Sequence, residues 1–340
     1  SLEVVLVERE RCGSGYSGRN EGLLSSWWDK YPELAVLLGK EDALRFARAS
    51  GETISAIISF CKKEKINILH RHDGKLRLVR SRYENNLWEE AEAPFEEWSP
   101  ETVMERAGVS IPGFGIYERN AASLDPGALV NGLHRVAIAR GVQVFERTPM
   151  RDIGFGIRAV VETPKGRVVA DRVVLAIGAW NARFPEIRQA VSVTSKQVLV
   201  SEQDSFLLEQ SGWSNGLVIT DNRPLAETYR TTPDGRVVFG KGGLSGEPCY
   251  RGNVETLLGG KNHDQKLIKQ SLRRRLPLLS ESISKMCWRV PVDFSFSGLP
   301  FFWHMGPHKN VYYATGFSDN LIGPSYLSGR LLASLVLEHV

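Results

Sequence analysis

The chain is poor in the features that would place it quickly. Its 340 residues hold four cysteines, Cys12, Cys61, Cys249 and Cys287, far apart, with no C-x-x-C and no Cys/His pairing at ligand spacing. That argues against a secreted disulfide scaffold and against structural zinc, so no metal site is expected and a reducing, cytoplasmic setting is implied. Long apolar runs are also missing. None approaches the roughly 18 residues of a membrane span, and no charged segment precedes a short apolar one as in a signal peptide. Strong charge of one sign is absent: the formal net charge is +4, and the basic residues are scattered apart from Arg273, Arg274 and Arg275. Such a balance argues against a nucleic-acid partner. Finally, His70, His72, His134, His263, His304, His308 and His339 stand at no catalytic spacing, and no Ser/His/Asp set is visible.

What remains is ordinary globular material, 42% hydrophobic and 24% charged. At roughly 100–200 residues per domain, the length suits two cores. Residues 41–65 place Leu44, Ala47, Ile54, Ile57, Ile58 and Cys61 at helical spacing, which predicts a helix with one core face. Gly74 to Ser81 predicts a strand, and Tyr83 to Arg106 surface helices. Asp125 is a plausible N-cap with Pro126 at the first helical position, for a helix ending near Gly141. A strand (VQVFERTPM), a hairpin turning at Lys165 and Gly166, and a buried strand (ADRVVLAIGAW) follow. That order suits a sheet with parallel members whose loops at the strands' carboxyl ends face a ligand.

Between Ser192 and Val292 the style changes to strands (KQVLVSE, LAETYRTT, GRVVFGKGG), a helix at Asn262 to Leu276 and a strand at Met286 to Phe294. An antiparallel sheet with helices alongside is expected there. The final segment returns to the first style. Val311 to Ala314 predict a strand, Gly316 and Gly323 a loop that lets backbone approach a ligand, and Tyr326 to Leu337 a helix whose N-terminal amides can meet an anionic group.

Six stretches then act together: VVLVERERCGSGYSGRNEG, SLDPGALVNGL, GVQVFERTPM, RVVLAIGAW, YRTTPDGRVVFG and YYATGFSDNLIGPSYLSGRLLASL. In order and spacing they resemble the FAD-dependent amino-acid and amine oxidase family that includes D-amino-acid oxidase, glycine oxidase and sarcosine oxidase, with particular likeness to its gamma-glutamylputrescine-oxidase-like branch. The resemblance implies FAD as cofactor. It also implies an α/β FAD-binding Rossmann-like domain, lacking its first βα unit, with an inserted α+β antiparallel-sheet substrate domain. The FAD-binding parts would be 1–72, 118–190 and 299–340, and the substrate parts 73–117 and 191–298. Family members open with a strand, a G-x-G-x-x-G turn and a helix, about 30 residues in all, before the strand that ends in an acid. Here Val4 to Val7 already form that second strand, so the chain is expected to be a fragment of a longer reading frame.

The resemblance carries site residues with it. Glu8 matches the acid that binds ribose hydroxyls, with Arg9 beside it and Glu10 as the fallback. Ser17, Gly18, Arg19 and Asn20 match the loop beside the flavin, although Glu21 stands where relatives commonly carry Gly. Backbone of Met150 is expected at the adenine edge. Ala176, Ile177, Gly178 and Ala179 match a second cofactor-contacting turn. Gly316, Phe317, Ser318, Leu321 and Ile322 match the loop over the pyrimidine side of the ring, where amides and a helix dipole stabilise negative charge.

On the substrate side, Tyr229 and Arg230 match a Y-x-R-like stretch, and Arg230 could pair a carboxylate bidentately, or equally serve in a structural ion pair. Lys241 is either a cation near the flavin or a plain turn lysine, the second being favoured. Trp288 matches a Trp on the last substrate-domain strand. Relatives of the glycine-oxidase type carry a carboxylate-binding Arg four residues further on, where this chain has Val292; an amine or N-substituted amino acid is therefore favoured over a simple α-amino acid. Ser297 and Trp303 also replace a frequent Asp and Gly, and Cys287, a conceivable covalent flavin anchor, reads better as a buried thiol.

The implied reaction is hydride transfer from the carbon bearing nitrogen to flavin N5, with O2 or another acceptor taking the electrons and the imine hydrolysing in water. Two alternatives stand beside it: a flavin dehydrogenase of a 2-hydroxy acid or polyol phosphate, and a non-catalytic fragment or binding module.

Overall fold

The computed structural model describes residues 2–79, 86–109, 113–213, 215–221, 226–242, 254, 263–277 and 286–338. Tyr83 and Cys249 lie outside them.

Three small sheets form the first unit of structure. Val5–Val7 runs parallel to Gln143–Phe145, and Val173–Leu175 runs parallel to Val311–Thr315, which Phe301–Met305 extends antiparallel. The hairpin Ala159–Thr163 and Gly166–Ala170 closes where the sequence places it, and Asp152–Gly154 joins its edge. Short β-branched runs bounded by Gly and Pro account for these strands. The helix Pro126–Ala139 starts on Asp125, whose carboxylate accepts the amide of Ala128 at 3.0 Å. Lys40–Lys63 is the long helix, burying Ala43, Ala47, Ile54, Ile57 and Cys61. Val7, Met150, Ile177, Trp180, Leu175 and Tyr313 share one core, so the chain's first strand, its middle and its last strand pack as one layer.

The second unit is an eight-stranded sheet in the order Cys287–Ser295, Val191–Val200, Val237–Gly242, Glu227–Thr231, Val218–Asp221, Lys75–Val79, Phe114–Glu118, Phe95–Trp98. It is antiparallel except where Val218–Asp221 lies parallel to Lys75–Val79. That pair splices the two separated chain stretches into one sheet. One face carries the largest core, where Tyr229, Phe239, Leu199 and Leu76 meet Trp213 and the helix residues Ile268 and Leu272.

Two expectations need correction. Residues 95–98 form an edge strand rather than surface helix, because Trp98 turns inward to stack on Tyr117 at 4.3 Å between ring centres. The last helix is Ile322–Glu338 and begins four residues earlier than predicted. Gly323 and Pro324 read as loop, yet proline is tolerated in the first turn, where amides lack intrahelical partners.

Candidate functional site

Alternation along the large sheet decides what can face the site. Side chains at i and i+2 share a face, so Glu227, Tyr229, Phe239 and Lys241 point to the helix side, while Thr228, Arg230 and Gly240 point to the other. Tyr229 is 1% exposed and packs T-shaped against Trp213. Lys241 donates to Glu227 at 2.6 Å and Ser271 at 3.0 Å. Both side chains therefore point to the helix side of the sheet, away from the face that carries Arg230.

The opposite face carries Lys196, and here two distant loops meet. Lys196 Nζ lies 2.8 Å from Glu21 Oε1 and also binds the Asp319 carboxylate. Asp319 in turn accepts the Tyr16 hydroxyl in a very short contact. Asn320 donates to the carbonyl of Ser26 at 2.9 Å. The loop expected beside the flavin and the loop expected over it are thus in contact, 303 residues apart in sequence. Glu21 reaches so far that a Cβ on Gly240 would fall 1.5 Å from its Oε1; only glycine fits there.

Electrostatics follow from burial. Burial raises the Glu21 carboxyl above its ordinary value, and Lys196 only partly opposes this. For Lys196, burial disfavours the charge, yet Asp319 and Glu21 outweigh it and hold the ammonium above its usual range. Burial, then Asp319, pushes the Tyr16 phenol well up. Two carboxylates thus face one ammonium in a space bordered by Tyr16, Asn20, Leu23, Thr228 and Leu321, with room for about one water.

Arg230 is on the site face but bonds to backbone. Its guanidinium donates to the carbonyls of Glu21, Leu124 (2.8 Å) and Thr231 (3.3 Å). Burial brings it down to about 10, still a cation at neutral pH. Trp288 shares this face and donates from Nε1 to the carbonyl of Arg19 at 2.8 Å. Val292 is on the same face and buried. Neither it nor Arg230 offers a carboxylate partner.

The nucleotide-side residues are arranged as follows. Glu8 ends the first strand; its Oε1 accepts the amide of Glu10 at 2.9 Å and its carbonyl that of Thr148 at 2.7 Å. Arg9 lies over the Trp180 ring, 4.3 Å from its centre, tying this strand end to the turn at Ala176 to Ala179. Gly178 has φ +52°, and a Cβ there would meet nothing within 4 Å, so that turn is open to close approach. The carbonyl of Met150 accepts from Arg183 at 3.2 Å. Ser17 and Arg19 lie exposed on the short helix Tyr16–Arg19, where Gly18 packs directly on Gly13. Asn20 is engaged in closing that helix, donating to the carbonyls of Tyr16 and Ser17. Gly316 and Ser318 donate their amides to Asp293, which ties the glycine loop to the large sheet; Phe317 bridges Phe294, and Ile322 is buried at the helix start.

Sequence reasoning missed Lys196, Tyr16, Asp319 and Asp293. A lysine in the middle of VSVTSKQVLV, with apolar or small neighbours, was the available signal for the first.

A discontinuous two-unit architecture, with a Rossmann-like layer beside a large mostly antiparallel sheet, defines the class as an FAD-binding oxidoreductase fold. Residues 1–335 match the family model described as FAD dependent oxidoreductase, and the chain belongs to that family. Among relatives, gamma-glutamylputrescine oxidoreductase of Escherichia coli (strain K12) is 25% identical over 349 residues, spanning 98% of this chain and 78% of that protein. A probable oxidoreductase, OrdL, of Haemophilus influenzae is 23% identical over 354 residues, spanning 98% and 77%. Among solved structures, glycine oxidase from Geobacillus kaustophilus superposes with a TM-score of 0.76 at 17% identity, covering 99% of this chain and 88% of that one.

The family's cofactor is FAD, and the residues present fit its nucleotide end: a strand-end carboxylate at Glu8, an open turn at Gly178 and a cation over Trp180. At the ring end, the Glu21, Lys196, Asp319 and Tyr16 cluster occupies the space between the loops. Among the described residues, no helix is long and apolar enough to cross a membrane.

Proposed function

We propose that the protein oxidises a C–N bond of an amine that carries no carboxylate beside the reacting carbon. The observation that carries this reading is the engagement of Arg230 with three main-chain carbonyls. A substrate carboxylate would have to displace those bonds, and Val292 offers no second cation. Glu21 and Asp319 both face Lys196, so the cations on this face, Lys196 and Arg230, are already matched and neither is left for a substrate carboxylate. The name of the Escherichia coli relative, gamma-glutamylputrescine oxidoreductase, supports an amine substrate.

FAD, when bound, supplies the hydride acceptor. Glu8 would hold the ribose, the turn at Ala176 to Ala179 would pass close to the cofactor, and the helix start at Ile322 would face its negative end, the amides of Gly316 and Ser318 being held by Asp293. Met150, Gly316, Phe317, Ser318 and Leu321 belong to that same surface. Arg230 positions the Glu21 loop, and Trp288 holds the loop at Arg19. O2 or another acceptor would take the electrons. The five-segment division, with 1–72, 118–190 and 299–340 binding FAD and 73–117 and 191–298 facing substrate, is part of this proposal, and the splicing of two chain stretches into one sheet supports it.

A 2-hydroxy acid would present its carboxylate where Arg230 is held by main-chain carbonyls and Val292 is apolar, which counts against that alternative. The test is anaerobic bleaching of the FAD-loaded chain by three panels: primary and secondary amines, α-amino acids, and 2-hydroxy acids. Bleaching by amines alone is expected. Bleaching by hydroxy acids, or by α-amino acids in preference to amines, overturns the reading.

A further inference from the structure

Three side chains that share no motif come together away from the pocket. Cys12, His134 and Glu146 each offer one ligand atom, and these atoms all lie within 4.8 Å of one another, each residue half-buried. The fold brings them there. Val130 and His134 are one turn apart on the helix Pro126–Ala139 and share a face. Gly13 lies against Val130, with a Cβ position 3.4 Å from its Cγ1, which sets Cys12 beside His134. Glu146 follows the strand Gln143–Phe145.

The backbone around these residues is fixed. The Cys12 amide donates to Glu146 Oε1 at 2.7 Å, and the Cys12 thiol also hydrogen-bonds to this carboxylate, a proton that a cation between them would replace. The Glu146 carbonyl accepts the Thr148 hydroxyl at 2.9 Å and Lys165 Nζ at 3.3 Å. Supports of this kind orient metal ligands.

We propose that Cys12, His134 and Glu146 form a binding site for a borderline-soft divalent cation such as Zn2+, with water at the fourth position. The donor set of thiolate, imidazole and carboxylate suits zinc and excludes Mg2+ and Ca2+, which take oxygen ligands. Tetrahedral zinc needs a sulfur and a nitrogen about 3.6 Å apart, from bonds of about 2.3 and 2.1 Å, and ligand atoms already within 4.8 Å of one another would draw together on binding. The sequence concealed the arrangement because Cys12 and His134 are 122 residues apart. A cation here would clamp the segment between Glu8 and Tyr16 to the helix Pro126–Ala139, and so fix the spacing between the nucleotide side and the ring side.

The experiment is a titration of the full chain with Co2+, read by the sulfur-to-cobalt charge-transfer band, followed by competition with Zn2+. One saturable site is expected, with the band lost in C12S and retained in C287S. H134A and E146Q should each weaken Co2+ binding at least about tenfold. Melting of C12S without metal should match the parent, and if it does not, H134Q replaces it as the deciding variant. A band that persists in C12S, unchanged affinity in both H134A and E146Q, or no saturable binding by the parent would overturn the site.

Discussion

Lys196 and Glu21, 175 residues apart, form a buried ion pair at 2.8 Å, with Asp319 as the ammonium's second carboxylate. The pair locks the 16–26 loop and the 316–322 loop onto the large sheet. Taking charges out of water is costly, and removing one partner leaves the others uncompensated.

Lys196→Met should therefore destabilise the chain by about 3–5 kcal/mol. Adding Glu21→Gly to it should recover part of that loss, because one orphaned carboxylate is removed and Gly240 gains space. Urea unfolding of the single and double variants measures both. A single variant that costs under about 1 kcal/mol would mean the pair is solvated.

Arg230→Met should cost about 3 kcal/mol, since it removes hydrogen bonds to three carbonyls, at least two of them buried. Arg230→Lys should not rescue, because a single ammonium cannot reproduce a planar fork. The separating readout is substrate preference. If Arg230 positions the loop, the surviving activity of Arg230→Lys loses rate on all amines alike; a selective rise in KM for carboxylate-bearing substrates would return Arg230 to the role of anion partner.

Which parts of this molecule were legible follows from how local each signal is. The Asp125 cap, the Lys165 turn and the helix stripe from Leu44 to Cys61 are set by neighbours in sequence, and all were readable. Tyr229 and Arg230 show the limit. Adjacent strand residues must face opposite sides, so both could not serve one site, but which face a helix covers depends on residues 263–275, far along the chain. Lys241, favoured as a plain turn lysine, lies instead within the strand Val237–Gly242. Its partner Glu227 sits directly across the strand pair, a relation visible only once register is known. The Lys196 cluster was illegible because its members come from three separate stretches, and nothing local distinguishes Asp319 from an ordinary loop acid.

Glu227 provides a pH test. Burial alone would raise its carboxyl, but hydrogen bonds from Lys241 and Arg275 outweigh this and lower it from 4.5 to about 2. The unfolded chain thus takes up the proton first as pH falls. The stabilisation is complete above the unfolded value and is lost as pH drops toward the folded one. Its size is about 2 kcal/mol once solvent screening of the two cations is allowed for. Urea unfolding at about pH 6 and about pH 3 should show a smaller pH dependence in Glu227→Gln than in the parent. Equal dependence in both would place the acid sensitivity elsewhere.

Glu8 bears on the cofactor directly. It ends a strand that pairs in parallel with Gln143–Phe145, and its half-exposed side chain accepts the amide of Glu10 within its own turn. Glu8→Ala should therefore cost little in folding, within about 0.5 kcal/mol by thermal or urea unfolding, as for surface substitutions elsewhere. If its carboxylate receives the ribose hydroxyls, the variant loses one or two charge-assisted hydrogen bonds, and FAD affinity should fall at least about tenfold. Glu10→Ala serves as the control, because its side chain lies exposed past the strand end. Equilibrium titration of FAD into the parent chain and both variants, followed by flavin fluorescence quenching, gives the comparison. Equal affinity in Glu8→Ala and parent would remove Glu8 from the site, and a larger loss in Glu10→Ala would move the ribose contact there.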